Sequence, residues 1–312
     1  METPTGMRQP YHNRPSADHH RDGIHWSGVA LLQDTLTGYS RAMFSNWLWH
    51  RPLELLIDAG EGLQLALGQK VWAPEVVAIT HGHADHLMGL PGFVASRRFG
   101  KGAQDKPLTV VFPEGTAGVE TMREMMARLW PREQFPITWI AMKPGDEHPL
   151  GRTRALQAFA SLHGSAEQTL GYRVLESRRR LKPELAGLSQ NEVRDRAQAL
   201  GREAVMDTYR HIVFAHTGDS MPVPPGDVAK ADLLVHDATF LDPDERKWGI
   251  HATVGEALQV ARDADVACLV LHHFSIRYER NETLPKVRTL VAESGFQGDC
   301  WLLDDARLIN LR

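Results

Sequence analysis

The sequence predicts a layered α/β fold, and two observations indicate it. Short apolar runs typical of buried strands alternate along the chain with segments of helical periodicity. Several of these runs end in a histidine or an aspartate, so one sheet edge could gather those side chains around a site. The predicted strands are 53–57, 75–79, 108–112, 155–162, 211–215, 233–235 and 268–271. The predicted helices are 86–99, 117–130, 191–200 and 253–264.

The composition is that of an ordinary soluble globular protein. The 312 residues are 42% hydrophobic and 24% charged, which suits a single domain with a sizeable core. A net charge of -4 argues against a protein that coats nucleic acid through a general positive field. No apolar stretch approaches the roughly 20 residues that a membrane span requires. Only Cys268 and Cys300 are present, so we expect no disulfide framework, no cysteine metal site and a cytoplasmic location.

The N-terminal segment, residues 1–24, differs from the rest of the chain. It is rich in Pro, His, Arg and Asp and lacks apolar periodicity, which predicts a disordered tail. Its scattered acidic residues and missing apolar core argue against a secretory or transit peptide. We expect residues 25–312 to form one folded domain.

The first predicted strand, 53–57, runs into Asp58. Gly60 and Gly62 follow and permit a sharp turn into the next helix. A carboxylate at a strand end suits a hydrogen-bond partner for a metal-bound histidine. The spacing alone leaves a second interpretation open, in which Asp58 is an acid on a surface turn.

The segment 80–87 carries the densest set of metal-competent side chains. Directly after a predicted buried strand come His81, His83, Asp85 and His86. Neutral imidazole and carboxylate suit zinc, and a metal with an open position generates a nucleophile from water near neutral pH. The His-Glu-x-x-His signature of zinc proteases is absent from this segment. The pattern predicts a hydrolytic metal site, with a solvated histidine-rich loop as the alternative.

The strands downstream supply further polar ends. The candidates are His163, Asp219, Asp237 and His273, each within four residues after the end of a predicted strand. Between them, residues 176–207 are the least regular part of the chain and begin with Arg178, Arg179 and Arg180. This segment is either a protruding arm or cap, or a solvated surface helix with a basic flank.

Taken together, these residues resemble the metallo-β-lactamase superfamily. The resemblance rests on Asp58, the block 81–86, His163, Asp219 and His273, and it covers residues 25–312. It implies an αββα sandwich with two zinc ions, or Mn²⁺ or Fe²⁺, at one edge of the paired sheets. It implies the ligand sets His81, His83 and His163 for one ion and Asp85, His86 and His273 for the other, with Asp219 bridging them.

Within the superfamily the chain is similar to the ribonuclease Z branch. That similarity lies in the segments 171–173, 236–240, 251–253 and 273–278. In that branch a glutamate and a histidine lie beside the scissile phosphate, and the matching residues here are Asp237 and His251. The resemblance implies that His251, oriented by Asp237, donates a proton to the leaving 3′ oxygen. A capping or core histidine is the alternative for His251.

The resemblance implies a dizinc phosphodiesterase with RNA, and precursor tRNA in particular, as the leading substrate. Metal-activated water would attack phosphorus, with Asp85 orienting or deprotonating it. Phosphate contacts would come from Arg277 and from Arg178, Arg179 and Arg180. Relatives commonly dimerise, so a homodimer without a membrane partner is expected.

Two departures from the branch keep other substrates open. Ser220 stands where Thr is usual, and 176–207 is short and lacks the Gly- and Pro-rich composition of the arm that holds the tRNA elbow. A small cyclic nucleotide, lactone, sulfate ester or other ester is therefore the alternative substrate, because fold and metal do not decide it. A non-catalytic binding protein is disfavoured, since all seven ligand positions are filled.

Overall fold

Two β-sheets lie at the centre of the fold. The computed structural model describes residues 29–98, 106–130, 137–164, 168–246 and 250–312, and the predicted tail at 1–24 lies outside them. The first sheet has six strands, and each hydrogen-bonds to the next one along the chain. They are β1 (Leu36–Arg41), β2 (Ser45–His50), β3 (Leu55–Ile57), β4 (Val76–Ala78), β5 (Leu108–Pro113) and β6 (Ile137–Met142).

The second sheet has eight strands, again in chain order. They are β7 (Glu147–Leu150), β8 (Arg154–Ser161), β9 (Thr169–Leu181), β10 (Met206–His216), β11 (Leu234–Asp237), β12 (Cys268–His272), β13 (Asp299–Asp304) and β14 (Arg307–Asn310). Strands β10, β11 and β12 are parallel, and β8 runs in the same direction because β9 is antiparallel to both β8 and β10. The carboxyl ends of β8, β10, β11 and β12 therefore share one edge.

The described residues also form helices, some of which cover the outer faces of the two sheets. They are α1 (Val29–Thr35), α2 (Leu63–Leu67), α3 (Ala84–Leu87), α4 (Leu90–Arg98), α5 (Ala117–Leu129), α6 (Gln190–Leu200), α7 (Val254–Asp263) and α8 (Arg280–Glu293). The best defined start belongs to α7, where the Thr253 side chain accepts from the Glu256 amide and Glu256 bonds back. Within the described residues, none of these helices is long and apolar enough to cross a membrane.

The apolar core forms three layers. One buried cluster joins the facing sides of the two sheets, a second joins the first sheet to α2, α4 and α5, and a third joins the second sheet to α7 and α8. The Tyr172 hydroxyl crosses between the sheets and donates to the Ile79 carbonyl at 2.8 Å. This αββα sandwich confirms the predicted fold class.

The predicted helix at 86–99 is interrupted. It begins as α3, stops at Gly89 and restarts as α4. A Cβ at Gly89 would lie 1.9 Å from the Gly60 carbonyl oxygen, so only glycine allows this close approach of the two backbones. The break comes from a long-range contact that helical periodicity cannot predict.

The segment 176–207 is an extension of the second sheet. Strands β9 and β10 continue as a hairpin from the pair Tyr172 and His216 to the pair Leu181 and Met206. Nine residues of strand separate these pairs along β9, or about 30 Å. Between the strands lies α6, which has no buried residue and starts with a capping box of Ser189 and Glu192. The predicted arm therefore points away from the shared carboxyl edge.

Candidate active site

The candidate metal ligands converge at one edge of the sandwich. Asp58 follows β3 and the block 81–86 follows β4, both in the first sheet. His163, Asp219 and His273 follow β8, β10 and β12 of the second sheet. Among the described residues, five groups each have ligand atoms within 4.8 Å of one another. Three consist of the candidate ligands alone: His81, His83 and His163; Asp85, His86 and His273; and His81, His86 and Asp219. The other two include His251, with His163 and Asp219 or with Asp237 and His273.

Asp219 lies between the two triads. Its Oδ2 atom is 3.0 Å from His273 Nε2 and 3.3 Å from His86 Nε2, and it is 3.8 Å from His81 Nε2. Asp219 Oδ1 and His81 Nε2 are buried and have no hydrogen-bond partner within the described structure. Buried polar atoms are normally satisfied, so these atoms and the mixed imidazole and carboxylate set fit divalent metal ions.

Asp58 is 1% exposed and holds the ring of His86. Its Oδ2 is 2.7 Å from His86 Nδ1, and its Oδ1 accepts from the Thr80 amide at 2.7 Å. The Thr80 hydroxyl donates to Asp58 Oδ2 at 2.9 Å and lies 3.0 Å from His81 Nδ1. Carboxylates placed in this way fix the orientation of ligating imidazoles, and this burial rules out a surface turn.

His251 and Asp237 form a pair beside the cluster. Asp237 Oδ2 is 2.7 Å from His251 Nδ1, so the shorter aspartate side chain does reach the imidazole. The carboxylate also accepts from the backbone amides of Ser220 at 3.0 Å and Thr239 at 2.9 Å. The His251 ring stacks on His273 with centroids 4.9 Å apart. His251 is therefore held at the cluster, with its Nδ1 atom engaged.

The protonation of these groups follows from burial and neighbouring charge. Burial lowers the pKa of His251, but the Asp237 carboxylate outweighs burial and leaves that pKa raised. Burial and then the neighbouring His86 hold the pKa of His81 well below its usual value. Burial raises the pKa of Asp219, but His273 and His86 bring it well below its usual value. Asp219 is thus ionised and His81 neutral, which are the protonation states in which a carboxylate and an imidazole bind a metal ion.

Two site residues have left-handed backbones. His273 has φ of 65° and Asp58 has φ of 57°, and neither is glycine. Such conformations cost roughly 1–2 kcal/mol each and persist where the surroundings fix them. Here the backbone amide of His273 donates to the Ser40 hydroxyl at 2.8 Å, and the backbone amide of Asp58 donates to the Ala78 carbonyl at 2.9 Å.

Comparison with known proteins agrees with this geometry. A family model described as a beta-lactamase superfamily domain matches residues 54–182 and 199–274. Ribonuclease Z from Bradyrhizobium sp. (strain ORS 278) is 31% identical over 273 residues, covering 78% of this chain and 88% of that protein. The chain belongs to the ribonuclease Z branch of the metallo-β-lactamase superfamily. It is a metal-dependent hydrolase of the ribonuclease Z type.

A second relative gives the same family, and two solved structures give the same fold. Ribonuclease Z from Gemmatimonas aurantiaca is 32% identical over 254 residues, covering 73% of this chain and 78% of that protein. The short form of human tRNase Z superposes with a TM-score of 0.59 at 21% identity, covering 89% of this chain and 99% of that one. The metallo-β-lactamase fold protein YhfI from Bacillus subtilis superposes at 0.61 with 14% identity, covering 88% and 98%.

Several polar contacts of this ribonuclease Z-type site were not predicted. The Asn46 amide nitrogen lies 3.0 Å from Asp85 Oδ2 and 3.2 Å from His86 Nε2. The Met43 backbone amide donates to the same Asp85 oxygen at 3.1 Å, and the Thr239 hydroxyl lies 2.8 Å from His273 Nδ1. The one available signal was Asn46 itself, a lone amide at the start of an otherwise aromatic and apolar run.

The predicted phosphate-binding arginines are not brought to the cluster. Arg178 donates to Glu176 at 2.7 Å and to Asp232 at 3.1 Å, and Arg180 lies 5.2 Å from the Tyr209 ring centroid. Arg178 is six residues along β9 from Tyr172, about 20 Å, and Arg179 and Arg180 lie further out. Arg277 is nearer, four residues after His273, with its guanidinium 5.7 Å from the Phe240 ring centroid.

Proposed function

We propose that this protein is a dizinc phosphodiesterase that cleaves RNA, with precursor tRNA as the leading substrate. The observation that carries the proposal is the 2.7 Å contact between Asp237 and His251 beside the two ligand triads. A metal cluster alone suits hydrolysis of many esters. An imidazole oriented beside it is suited to general acid catalysis, because a leaving alkoxide needs a proton.

The ligand assignment is part of this proposal. One zinc ion would be held by His81, His83 and His163, the other by Asp85, His86 and His273, and Asp219 would bridge them. Metal ions held by these residues would supply Lewis-acid chemistry, which would activate water and stabilise negative charge on the attacked phosphate group. Mn²⁺ or Fe²⁺ would supply the same chemistry, because the donor set of imidazole and carboxylate accepts all three.

The protein side chains then have distinct roles. The Asp85 carboxylate, fixed by Asn46 and the Met43 amide, orients or deprotonates the attacking water. His251 donates a proton from its free Nε2 atom to the leaving 3′ oxygen. Asp237 positions that imidazole through Nδ1 and stabilises its protonated form, since the carboxylate raises the pKa of His251 against the effect of burial.

The wider assignment rests on the relatives. Proteins named ribonuclease Z match most of this chain, which supports RNA as the substrate class. We propose that residues 25–312 act as one catalytic domain with 176–207 as an inserted arm. We also propose a cytoplasmic homodimer without a membrane partner, with Arg277 as the phosphate contact nearest to the cluster.

The test compares three substrates with the same purified protein. Precursor tRNA, a bis-aryl phosphate and a lactone are offered at equal enzyme and metal concentration. We expect cleavage of the precursor tRNA on the 5′ side of its trailer, leaving a 3′ hydroxyl, together with slower bis-aryl phosphate hydrolysis. Hydrolysis of the lactone alone would overturn the nuclease assignment.

A second candidate is hydrolysis of a small phosphodiester or carboxylic ester at the same site. One observation favours this candidate. The Arg178 guanidinium is engaged in ion pairs with Glu176 and Asp232, about 20 Å from the edge of the site, so it does not serve there as a contact for an RNA phosphate. It predicts that a cyclic nucleotide or lactone is turned over faster than precursor tRNA in the same assay.

A further inference from the structure

A cleft beside the metal cluster has no role in the mechanism above. It has a volume of about 320 Å³. Its lining residues are Tyr39, Arg41, Phe44, Tyr278, Glu279, Arg280 and Asp305. Ligand pockets in proteins start at roughly 300 Å³, so the cleft has room for one planar ring system and part of a sugar.

The cleft shares one chain segment with the active site. This segment is the turn between β1 and β2, residues 41–45. The Met43 amide donates to Asp85, and the Ala42 amide donates to the Phe274 carbonyl at 3.1 Å. On either side of Met43 and Ala42, Arg41 and Phe44 line the cleft. An occupant of the cleft would therefore lie next to whatever is bound at the metal cluster.

The charges around the cleft disfavour a phosphate. Arg41 Nη1 is 2.8 Å from Asp304 Oδ1, and Arg280 Nη2 is 2.8 Å from Asp305 Oδ2. Arg280 also contacts Asp304. With Glu279, three carboxylates face two guanidinium groups, so the local balance is -1 rather than positive. An uncharged ligand with hydrogen-bonding edges suits this lining better than an anion.

The aromatic rings indicate what that ligand is. Phe44, which lines the cleft, is 63% exposed, although burying it would be favourable. The hydroxyl of Tyr39, a second lining residue, donates to Asp305 Oδ1 at 3.2 Å, which fixes that ring. Exposed aromatic rings bind single-stranded nucleic acid by stacking on the bases, with little dependence on sequence.

We propose that this cleft binds one nucleobase of the RNA, from a nucleotide next to the scissile phosphate, by stacking on Phe44. The inference rests on the proposed nuclease function and adds a substrate-positioning residue to it. Phe44 holds the neighbouring nucleotide. Because Phe44 belongs to the same turn as Met43, whose amide bonds Asp85, the phosphodiester next to that nucleotide is placed at the cluster.

The test combines Phe44 variants with an abasic scan. Single abasic nucleotides replace each base on either side of the scissile phosphate in a precursor RNA, and kcat and KM are measured for every position. In the wild type we expect one position at which loss of the base raises KM by about fivefold or more, as for a lost stacking contact. In Phe44→Ala the intact RNA already has the raised KM, and the abasic change at that position adds little.

Two further variants separate stacking from structural effects. Phe44→Trp keeps an aromatic surface and should retain both the low KM and the abasic effect. Leu65→Ala removes a comparably exposed apolar side chain, 82% exposed on α2, and should behave as the wild type. An equal abasic effect in the wild type and Phe44→Ala would overturn the inference while the nuclease function stands. A wild type that cleaves no RNA would overturn the proposed function and this inference with it.

Discussion

In the proposed mechanism, His251 is the residue that protonates the leaving group. Its ring is held by the contact of Nδ1 with Asp237 and by stacking on His273. These two contacts fix the direction in which the other ring nitrogen, Nε2, points. General acid catalysis contributes typically 10²- to 10⁴-fold, and it matters most when the leaving group is a poor one.

Substitution of His251 should therefore affect substrates unequally. His251→Ala is expected to lower kcat on precursor tRNA by roughly 10²- to 10⁴-fold. Hydrolysis of bis(4-nitrophenyl) phosphate should fall far less, because nitrophenolate leaves without a proton. Steady-state kinetics on both substrates measure the difference, with His148→Ala, a half-buried histidine of β7, as the control. An equal loss on both substrates would contradict the role of proton donor.

At the scale of single elements, the hairpin of β9 and β10 is held at its base by ion pairs. Glu176 accepts from Arg154 and Arg178, each at 2.7 Å, and Arg178 also contacts Asp232. Burial raises the pKa of Glu176, but the hydrogen bonds from Arg178 and Arg154 outweigh it and leave that pKa lowered. The hairpin is thus tied to β8 and to the loop before β11.

This lowered pKa predicts how stability depends on pH. The contribution of Glu176 is complete above the ordinary glutamate value of 4.5 and is lost as pH falls through the lower pKa of the folded protein. Glu176→Gln should therefore lower the free energy of unfolding by about 1–3 kcal/mol at pH 7, and by progressively less below pH 4.5. Urea unfolding at several pH values measures this difference. Glu184→Gln, at an exposed position of the arm, is the control, and a pH-independent difference would contradict the prediction.

The outer part of the arm can be removed without breaking the sheet. Leu181 pairs with Met206, so replacing residues 182–205 by Asn-Gly closes the hairpin with a two-residue turn. Because α6 buries no residue and the buried Leu185 and Val205 are removed together with it, we expect the shortened protein to fold and to hydrolyse bis-aryl phosphate as before. Its KM for precursor tRNA should rise about tenfold, since only a long substrate reaches an arm of about 30 Å. An unchanged KM for precursor tRNA would show that the arm does not bind substrate.

At the scale of the whole molecule, the candidate ligands connect the two sheets. His81, His83, Asp85 and His86 come from the first sheet, whereas the other three come from the second. Ions bound between them stabilise only the folded state, by about 2.7 kcal/mol when free metal is at 100 times its Kd. Metal loss should therefore weaken the packing of one sheet against the other.

Removal of metal should accordingly lower stability as well as activity. We expect about two ions per wild-type chain by elemental analysis, and a lower unfolding temperature and no activity after chelation. Asp219→Ala should hold fewer ions, and chelation should change its unfolding temperature less. Asp263→Ala, an exposed acid on α7, is the control. A wild type that purifies with less than one ion per chain and is unaffected by chelators would contradict the proposed centre.

Much of this architecture is predictable because apolar runs and strand-end ligands are local signals. The strand 108–112 and the helix 253–264 appear within one residue of their predicted bounds, as β5 and α7. The charged run of 176–181 was not predicted as strand, because its pairing with β10 is long-range and its mostly charged residues show no alternation in hydrophobicity. The contacts of Asn46 with Asp85 and His86 were missed for the same reason, since they join residues about 40 positions apart.

The left-handed backbone of His273 has an implication for protein engineering. In a library selected for resistance to heat with a chelator present, so that bound metal adds no stability, glycine at this position would relieve roughly 1–2 kcal/mol of conformational cost. Each selected variant with glycine at position 273 would lack an imidazole of the cluster and with it a candidate metal ligand. At position 273, the thermal stability of the metal-free protein and catalytic activity should therefore favour different residues. Selection for both properties would retain histidine.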